Sequence, residues 1–128
     1  MSNNKSHQFS KEDNERFNAA INLFNNKEWY KAHDALEEIW HTTNGCERIT
    51  IQAILQIAVA QVHLSKNNLK GATILYGEGL GRLKNSNLPD LGLDINQFKL
   101  TVEARLKLLQ SDGDIDSINT PSLDRKAY

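Results

Sequence analysis

Six side chains able to do chemistry lie on the inward faces of two neighbouring predicted helices, where the pattern otherwise calls for core residues. They are His33, Glu37, Trp40, Gln52, Gln56 and His63. Buried polar groups cost free energy unless each is hydrogen-bonded, so the spacing predicts that these groups meet in one partly buried cluster. Trp40 would border this pocket, and Gln52 and Gln56 would line it.

One interpretation of the cluster is a metal site. His33 and Glu37 lie one helical turn apart, and His63 on the next helix could supply a third ligand. Two imidazoles and a carboxylate suit a divalent metal such as zinc, and a zinc-bound water can act as a hydrolytic nucleophile. The candidates for a general base, Asp34 and Glu38, point away from His33 by roughly 100° or more on an ideal helix, which weakens the enzyme interpretation.

The second interpretation needs no metal. A neutral imidazole has one donor and one acceptor nitrogen, so Glu37 and the two glutamines could pair with both histidines. The indole N–H of Trp40 could find its partner in the same network, which would then fix the register of the helices. Three classes of function stay open: an architectural scaffold or interaction module, a protein that binds a metal or small molecule, and a metal-dependent hydrolase.

Hydrophobic periodicity places the cluster in an all-α domain. It predicts helices over residues 11–25, 28–42, 47–66, 69–84 and 95–110. The third is apolar nearly all round, which is typical of a central, covered helix. No segment alternates with period two, and the connections are short. We therefore expect a compact up-and-down bundle of about five helices.

The two ends of the chain have a different composition. Residues 1–9 are polar and predict a loose leader. From residue 111 the chain is acidic, then contains proline and serine, with few apolar residues. Such segments bury too little apolar surface to fold by themselves, so we expect one domain over residues 1–110 and a disordered tail over 111–128.

The fourth predicted helix is rich in glycine, with Gly71, Gly77, Gly79 and Gly81. Each glycine costs about 1 kcal/mol relative to alanine inside a helix. Close approach of a neighbouring helix would offset that cost, and a kink or partial break near Gly77 to Gly81 is the alternative.

The composition limits the cellular compartment and the binding partners that we expect for the protein. The chain has 128 residues and a net charge of −1, which argues against a broad binding surface for nucleic acid or anionic lipid. The longest apolar run, residues 49–64, is too short and too polar to span a bilayer. The single Cys46 favours a reducing cytoplasm. A small-molecule ligand and a homodimer stay open as partners.

Three motifs in order carry a resemblance to a known family: HDALEEIW at residues 33–40, QAILQIAVAQVH at 52–63 and NLKGA at 68–72. The chain resembles the bacterial and archaeal domain-of-unknown-function 309 family, whose members read HExxExxW, QxxxQxAxxxH and GNxxGA. The resemblance covers residues 16–84 and implies an all-helical fold and the family label of predicted metal-dependent hydrolase. Asp34 stands where the family usually has Glu, Ala53 where Gly is common, and Asn67 where Gly precedes the Asn.

Overall fold

The described part of the chain forms five α-helices and one short 3₁₀ turn. The computed structural model describes residues 10–127, so the predicted leader at residues 1–9 lies outside the described part of the chain. The helices are α1 (Lys11–Asn25), α2 (Trp29–Thr42), α3 (Cys46–Ser65), α4 (Leu69–Leu83) and α5 (Ile95–Gln110), and the 3₁₀ turn covers Ile115–Ser117. No strand occurs within residues 10–127, and the predicted all-helical fold is confirmed. None of the helices in this range combines the length and apolarity needed to cross a bilayer.

Local sequence signals set the helix boundaries, which agree with the predicted ones to within one residue. Ser10 begins α1 with a reciprocal capping box to Asp13. Asn68 and Asp94 cap α4 and α5 by accepting hydrogen bonds from backbone N–H groups. Gly45 precedes α3 with φ at 72°, a left-handed conformation that favours glycine.

Each helix packs against the next one in the chain, which is the predicted up-and-down arrangement. The central helix is α3, and its Ile51, Ile54 and Ile57 are completely buried. Phe24 of α1 contacts Phe98 of α5 edge to face, with ring centroids 5.8 Å apart, and this contact closes the bundle between its first and last helices.

The glycines of α4 have different surroundings. A Cβ added at Gly79 would lie 2.8 Å from Cδ1 of Ile57, so close packing against α3 explains this glycine. A Cβ added at Gly77 or Gly81 would meet nothing within 4 Å. Because α4 is continuous over Leu69–Leu83, it does not break near these two glycines, and the alternative of a kink stays a prediction. Packing within the chain therefore accounts for Gly79 but not for Gly77 or Gly81.

The C-terminal segment differs from the predicted disordered tail. Residues 112–127, here called the C-terminal strap, run back across the bundle, and their Pro121 and Leu123 are buried. The side-chain amide of Asn25 holds the backbone of Leu123 through two hydrogen bonds, donating from Nδ2 to the carbonyl (3.0 Å) and accepting from the N–H (2.7 Å). Contacts with distant residues therefore order a segment whose own composition predicts disorder.

The end of the strap pairs with the loop before α5. Asp94 N–H donates to the carbonyl of Asp124 and Lys126 N–H donates to that of Gly92, both at 2.9 Å. The ammonium of Lys126 lies 2.7 Å from Asp90. Its hydrogen bond, together with one from the Gly92 N–H, holds the pKa of Asp90 below its usual value.

Candidate functional site

His33 is half-buried on α2, and its polar contact is with its neighbour in the chain. Its Nδ1 lies 3.1 Å from Oδ1 of Asp34, whose side chain is largely exposed. An ionised carboxylate only accepts hydrogen bonds, so Nδ1 carries a proton and donates it. In the neutral ring, Nε2 of His33 is then the acceptor nitrogen.

His63, at the end of α3, has the opposite arrangement. The amide oxygen of Asn68 accepts from the N–H of Gly71 at 3.0 Å, which turns the amide nitrogen toward Nδ1 of His63, also at 3.0 Å. Because that nitrogen can only donate, Nδ1 of His63 accepts, and the neutral ring carries its proton on Nε2. A Cβ at Gly71 would lie 2.6 Å from the Asn68 amide nitrogen and 3.1 Å from Nδ1 of His63. The contact between these groups, here called the His63–Asn68–Gly71 joint, therefore requires glycine at position 71.

Gln56 faces α4. Its Nε2 donates to Glu78 at 2.9 Å, and its Oε1 accepts from Nη1 of Arg82 at 3.1 Å. The sequence predicts Gln56 in a cluster with the histidines of α2 and α3, whereas its hydrogen-bond partners lie on α4. Gln52 is half-buried and Glu37 is exposed, and neither side chain forms a hydrogen bond or ion pair with any residue between 10 and 127.

Trp40 stacks under a cation at the turn between α2 and α3. The guanidinium carbon of Arg48 lies 3.8 Å from the centroid of the indole ring. Trp40 Nε1 is buried and has no hydrogen-bond partner among the described residues, and the same holds for Nε of Arg48. The predicted link between the indole N–H and the histidine and glutamine side chains is therefore absent from the described structure.

The predicted metal ligands His33, Glu37 and His63 do not fit a three-ligand centre as they are placed. The Nε2 of His63 carries the ring proton, and Glu37 is exposed. No group of three or more His, Cys, Asp or Glu side chains in the described part of the chain could hold a metal ion. Three of the six predicted cluster residues, His33, His63 and Gln56, take part in separate polar contacts instead of one shared network.

A deeply buried polar cluster does exist, but it joins α3, α4 and α5. Tyr76 is 0% exposed, Arg105 2% and Gln61 5%. Arg105 Nε donates to the hydroxyl of Tyr76 at 2.8 Å, and its Nη2 donates to Oε1 of Gln61 at 3.3 Å. The Tyr76 hydroxyl donates to the same Oε1. Burial raises the pKa of Tyr76 to about 12, although the charge of Arg105 and its hydrogen bond act in the opposite direction.

Arg105 also fastens the C-terminal strap. Its Nη1 donates to the backbone carbonyls of Ile115 (3.3 Å), Ile118 (3.0 Å) and Asn119 (3.2 Å). All its partners among the described residues are neutral, and no described carboxylate lies within ion-pair distance. The guanidinium is thus a buried positive charge held by neutral oxygen acceptors and by the aromatic ring of Tyr76, whose centroid lies 5.8 Å from the guanidinium carbon.

Sequence reasoning did not select this cluster. The signal was available, because Arg105 lies three residues after Val102 and seven after Phe98, on the apolar face of α5. A charged residue inside an apolar stripe calls for buried partners. Tyr76 likewise lies among the core positions of α4.

A cavity of about 310 Å³ lies beside this cluster and is lined by both Gln61 and Arg105. Its wall includes Trp29, Leu64 and Leu69. Asp116, in the 3₁₀ turn of the strap, also lines it. The cavity therefore combines an apolar wall with buried donors, as small-molecule sites do.

The family described as "Domain of unknown function (DUF309)" matches residues 17–75. The resemblance to DUF309 is confirmed. The DUF309 segment includes the His63–Asn68–Gly71 joint and Gln61, while Tyr76 and Arg105 lie beyond its end. No match to the chain was found among curated proteins.

Proposed function

We propose that this protein is a non-catalytic helical scaffold, in which the polar residues of the DUF309 motifs connect neighbouring elements. The observation that carries the proposal is the joint between α3 and α4. Asn68 caps α4 and at the same time donates to His63 on α3. Gly71 leaves room for both groups. One set of contacts thus gives a structural role to residues from two motifs.

Two further polar groups support the same role. Gln56 of α3 bridges Glu78 and Arg82, one turn apart on α4. Gln61 shares its Oε1 between Tyr76 of α4 and Arg105 of α5. Networks in which the members satisfy one another fix helix register and rigidify the core.

The alternative function is a metal-dependent hydrolase with His33, Glu37 and His63 as ligands. One contact favours it, because donation from His33 Nδ1 to Asp34 leaves Nε2 as an acceptor, the orientation that carboxylate partners give to metal-binding histidines. His63 would have to change its tautomer to join such a site. The scaffold therefore requires the His63 tautomer that accepts from Asn68, whereas the metal site requires the other tautomer.

Metal content and stability together separate the two functions. Elemental analysis of the untagged protein, purified with zinc, iron and manganese present, is expected to find less than one metal per ten chains. Asn68→Ala is expected to lower the free energy of unfolding by about 1–2 kcal/mol, because α4 loses its cap and His63 loses its donor.

Asn18→Ala is the matched control. This asparagine lies on the exposed side of α1, and its side chain makes no hydrogen bond with the described residues. Its loss is expected to leave stability unchanged or slightly raised. One tightly bound metal per chain, together with an Asn68→Ala variant as stable as the Asn18→Ala control, would overturn the scaffold proposal.

A further inference from the structure

We propose that the cavity beside Arg105 binds a small monocarboxylate with an apolar body. This binding site goes beyond the scaffold role and does not depend on it. The cavity brings together two hydrogen-bond donors carried by largely buried side chains, a buried positive charge without a carboxylate partner, and an apolar wall.

The first donor is Nη2 of Arg105. A guanidinium has five N–H groups. The Nε–H goes to Tyr76, the two Nη1 hydrogens serve three strap carbonyls, and one Nη2 hydrogen goes to Gln61. The second Nη2 hydrogen has no acceptor among residues 10–127.

The second donor is Nε2 of Gln61. Because Tyr76 and Arg105 both donate to Oε1, the amide orientation is fixed, and its NH₂ group faces away from them. No described residue accepts a hydrogen bond from this NH₂, although the side chain is only 5% exposed. Gln61 and Arg105 line the same cavity. Two donors on neighbouring groups match the two oxygens of a carboxylate.

The charges in the cavity favour a monoanion. Arg105 is 2% exposed and has only neutral partners, so a bound carboxylate would compensate its charge in a water-poor setting. Asp116 lies on the cavity wall, and its negative charge repels an anion. A dianion would double both this repulsion and the attraction to Arg105, but the cost of removing it from water rises roughly fourfold, with the square of its charge. A carboxylate is therefore favoured over inorganic phosphate.

The wall defines the rest of the ligand. Trp29, Leu64 and Leu69 present apolar surface, and the cavity of about 310 Å³ is at the small end of ligand sites. A phenyl or branched aliphatic group of a few carbons fits both features. Benzoate is therefore a suitable probe, and benzamide is its neutral counterpart of almost the same shape.

The test is a titration of the full chain by isothermal calorimetry, with amide chemical shifts recorded in parallel. Benzoate is expected to bind at least tenfold more tightly than benzamide or inorganic phosphate and to shift the signals of Gln61 and Leu69. Asp116→Asn is expected to tighten benzoate binding about threefold, because it removes the repelling charge.

Because Arg105 also holds the strap, its substitution is expected to disturb the fold. The variant that fills the cavity is therefore made at a residue of the cavity wall. Leu69→Trp is expected to weaken benzoate binding at least tenfold. Leu100→Trp is the matched control, since Leu100 is as exposed as Leu69 (56% and 55%) and lies on α5 outside the cavity. Equal affinity for benzoate and benzamide, no binding at 10 mM, or equal weakening by both tryptophan variants would overturn the proposal.

Discussion

Asn68 holds His63 in the tautomer whose proton lies on Nε2. The amide oxygen of Asn68 is committed to the N–H of Gly71, so only its nitrogen is left to face Nδ1 of the imidazole. The hydrogen bond from Asn68 thereby joins the beginning of α4 to the end of α3. A histidine that binds metal through Nε2 carries its proton on Nδ1 and could not accept this hydrogen bond. In the proposed scaffold, this relationship gives His63 a structural role.

The tautomer itself can be measured. In nitrogen NMR spectra at a pH where the rings are neutral, His63 is expected to be protonated at Nε2 and His33 at Nδ1. Asn68→Asp keeps an oxygen for Gly71 but replaces the donor by an acceptor, so the His63 proton should move to Nδ1 while His33 stays unchanged. A wild-type His63 that is already protonated at Nδ1 would contradict the assigned geometry.

Tyr76 makes stability depend on pH in the alkaline range. Its pKa is about 12 in the folded protein and 10.0 in the unfolded chain, so the folded state holds the proton more tightly. This stabilisation is fully present below pH 10 and is lost as pH rises toward 12. The shift corresponds to roughly 2–3 kcal/mol. In urea unfolding, Tyr76→Phe should remove this part of the pH dependence.

The same Tyr76→Phe substitution should lower stability at pH 7 by about 1–3 kcal/mol, because Arg105 and Gln61 each lose a buried partner. Tyr30→Phe is the control, since Tyr30 is 56% exposed and should leave both the stability and its pH profile unchanged. Identical alkaline profiles for the two variants would argue against a buried Tyr76 hydroxyl.

The glycines of α4 should respond to alanine in opposite directions. Gly77→Ala and Gly81→Ala are each expected to raise the free energy of unfolding by about 0.5–1 kcal/mol, because an added methyl meets nothing within 4 Å. Gly79→Ala should lower it by about 1 kcal/mol or more, since its Cβ would lie 2.8 Å from the buried Ile57 and 3.3 Å from the carbonyl of Ala53. Thermal unfolding of the three variants tests the packing of α4 on α3, and a stabilised Gly79→Ala would refute it.

The attachment of the C-terminal strap can be tested at Asn25. Asn25→Ala removes both hydrogen bonds to the backbone of Leu123, so the Leu123 amide should lose its protection in hydrogen exchange and stability should fall by about 1–2 kcal/mol. Asn22→Ala removes an exposed amide of the same helix whose side chain makes no hydrogen bond with the described residues, and it should leave this protection intact. Rapid exchange at the Leu123 amide in the wild type would contradict this attachment and support the prediction of a disordered tail.

The helices could be predicted from the sequence because their signals are local. The apolar stripe of Phe17, Ala20, Ile21 and Phe24, for example, defines α1 within fifteen residues, and Ser10 marks its start. The strap could not be predicted, because the groups that order it lie far away along the chain. Asn25, which holds Leu123, is 98 residues away from it in sequence.

The composition of the candidate site was predictable only in part. Helical phase indicates which residues face inward, but α3 packs against both α2 and α4. Gln56 could have met either helix, and its partners Glu78 and Arg82 lie on α4. The cluster of Gln61 with Tyr76 and Arg105 involves three helices, and no motif of two adjoining helices could indicate it.

The most direct test of the scaffold role is the stability of His63→Ala, measured by urea unfolding in buffer with a metal chelator and again with excess zinc. If His63 joins α3 to α4 through Asn68, the variant should lose about 1 kcal/mol relative to the wild type, and the loss should be the same in both buffers. A wild type that gains stability from zinc, together with a variant that differs from it only when zinc is present, would show that His63 binds metal and would contradict the structural role assigned to it.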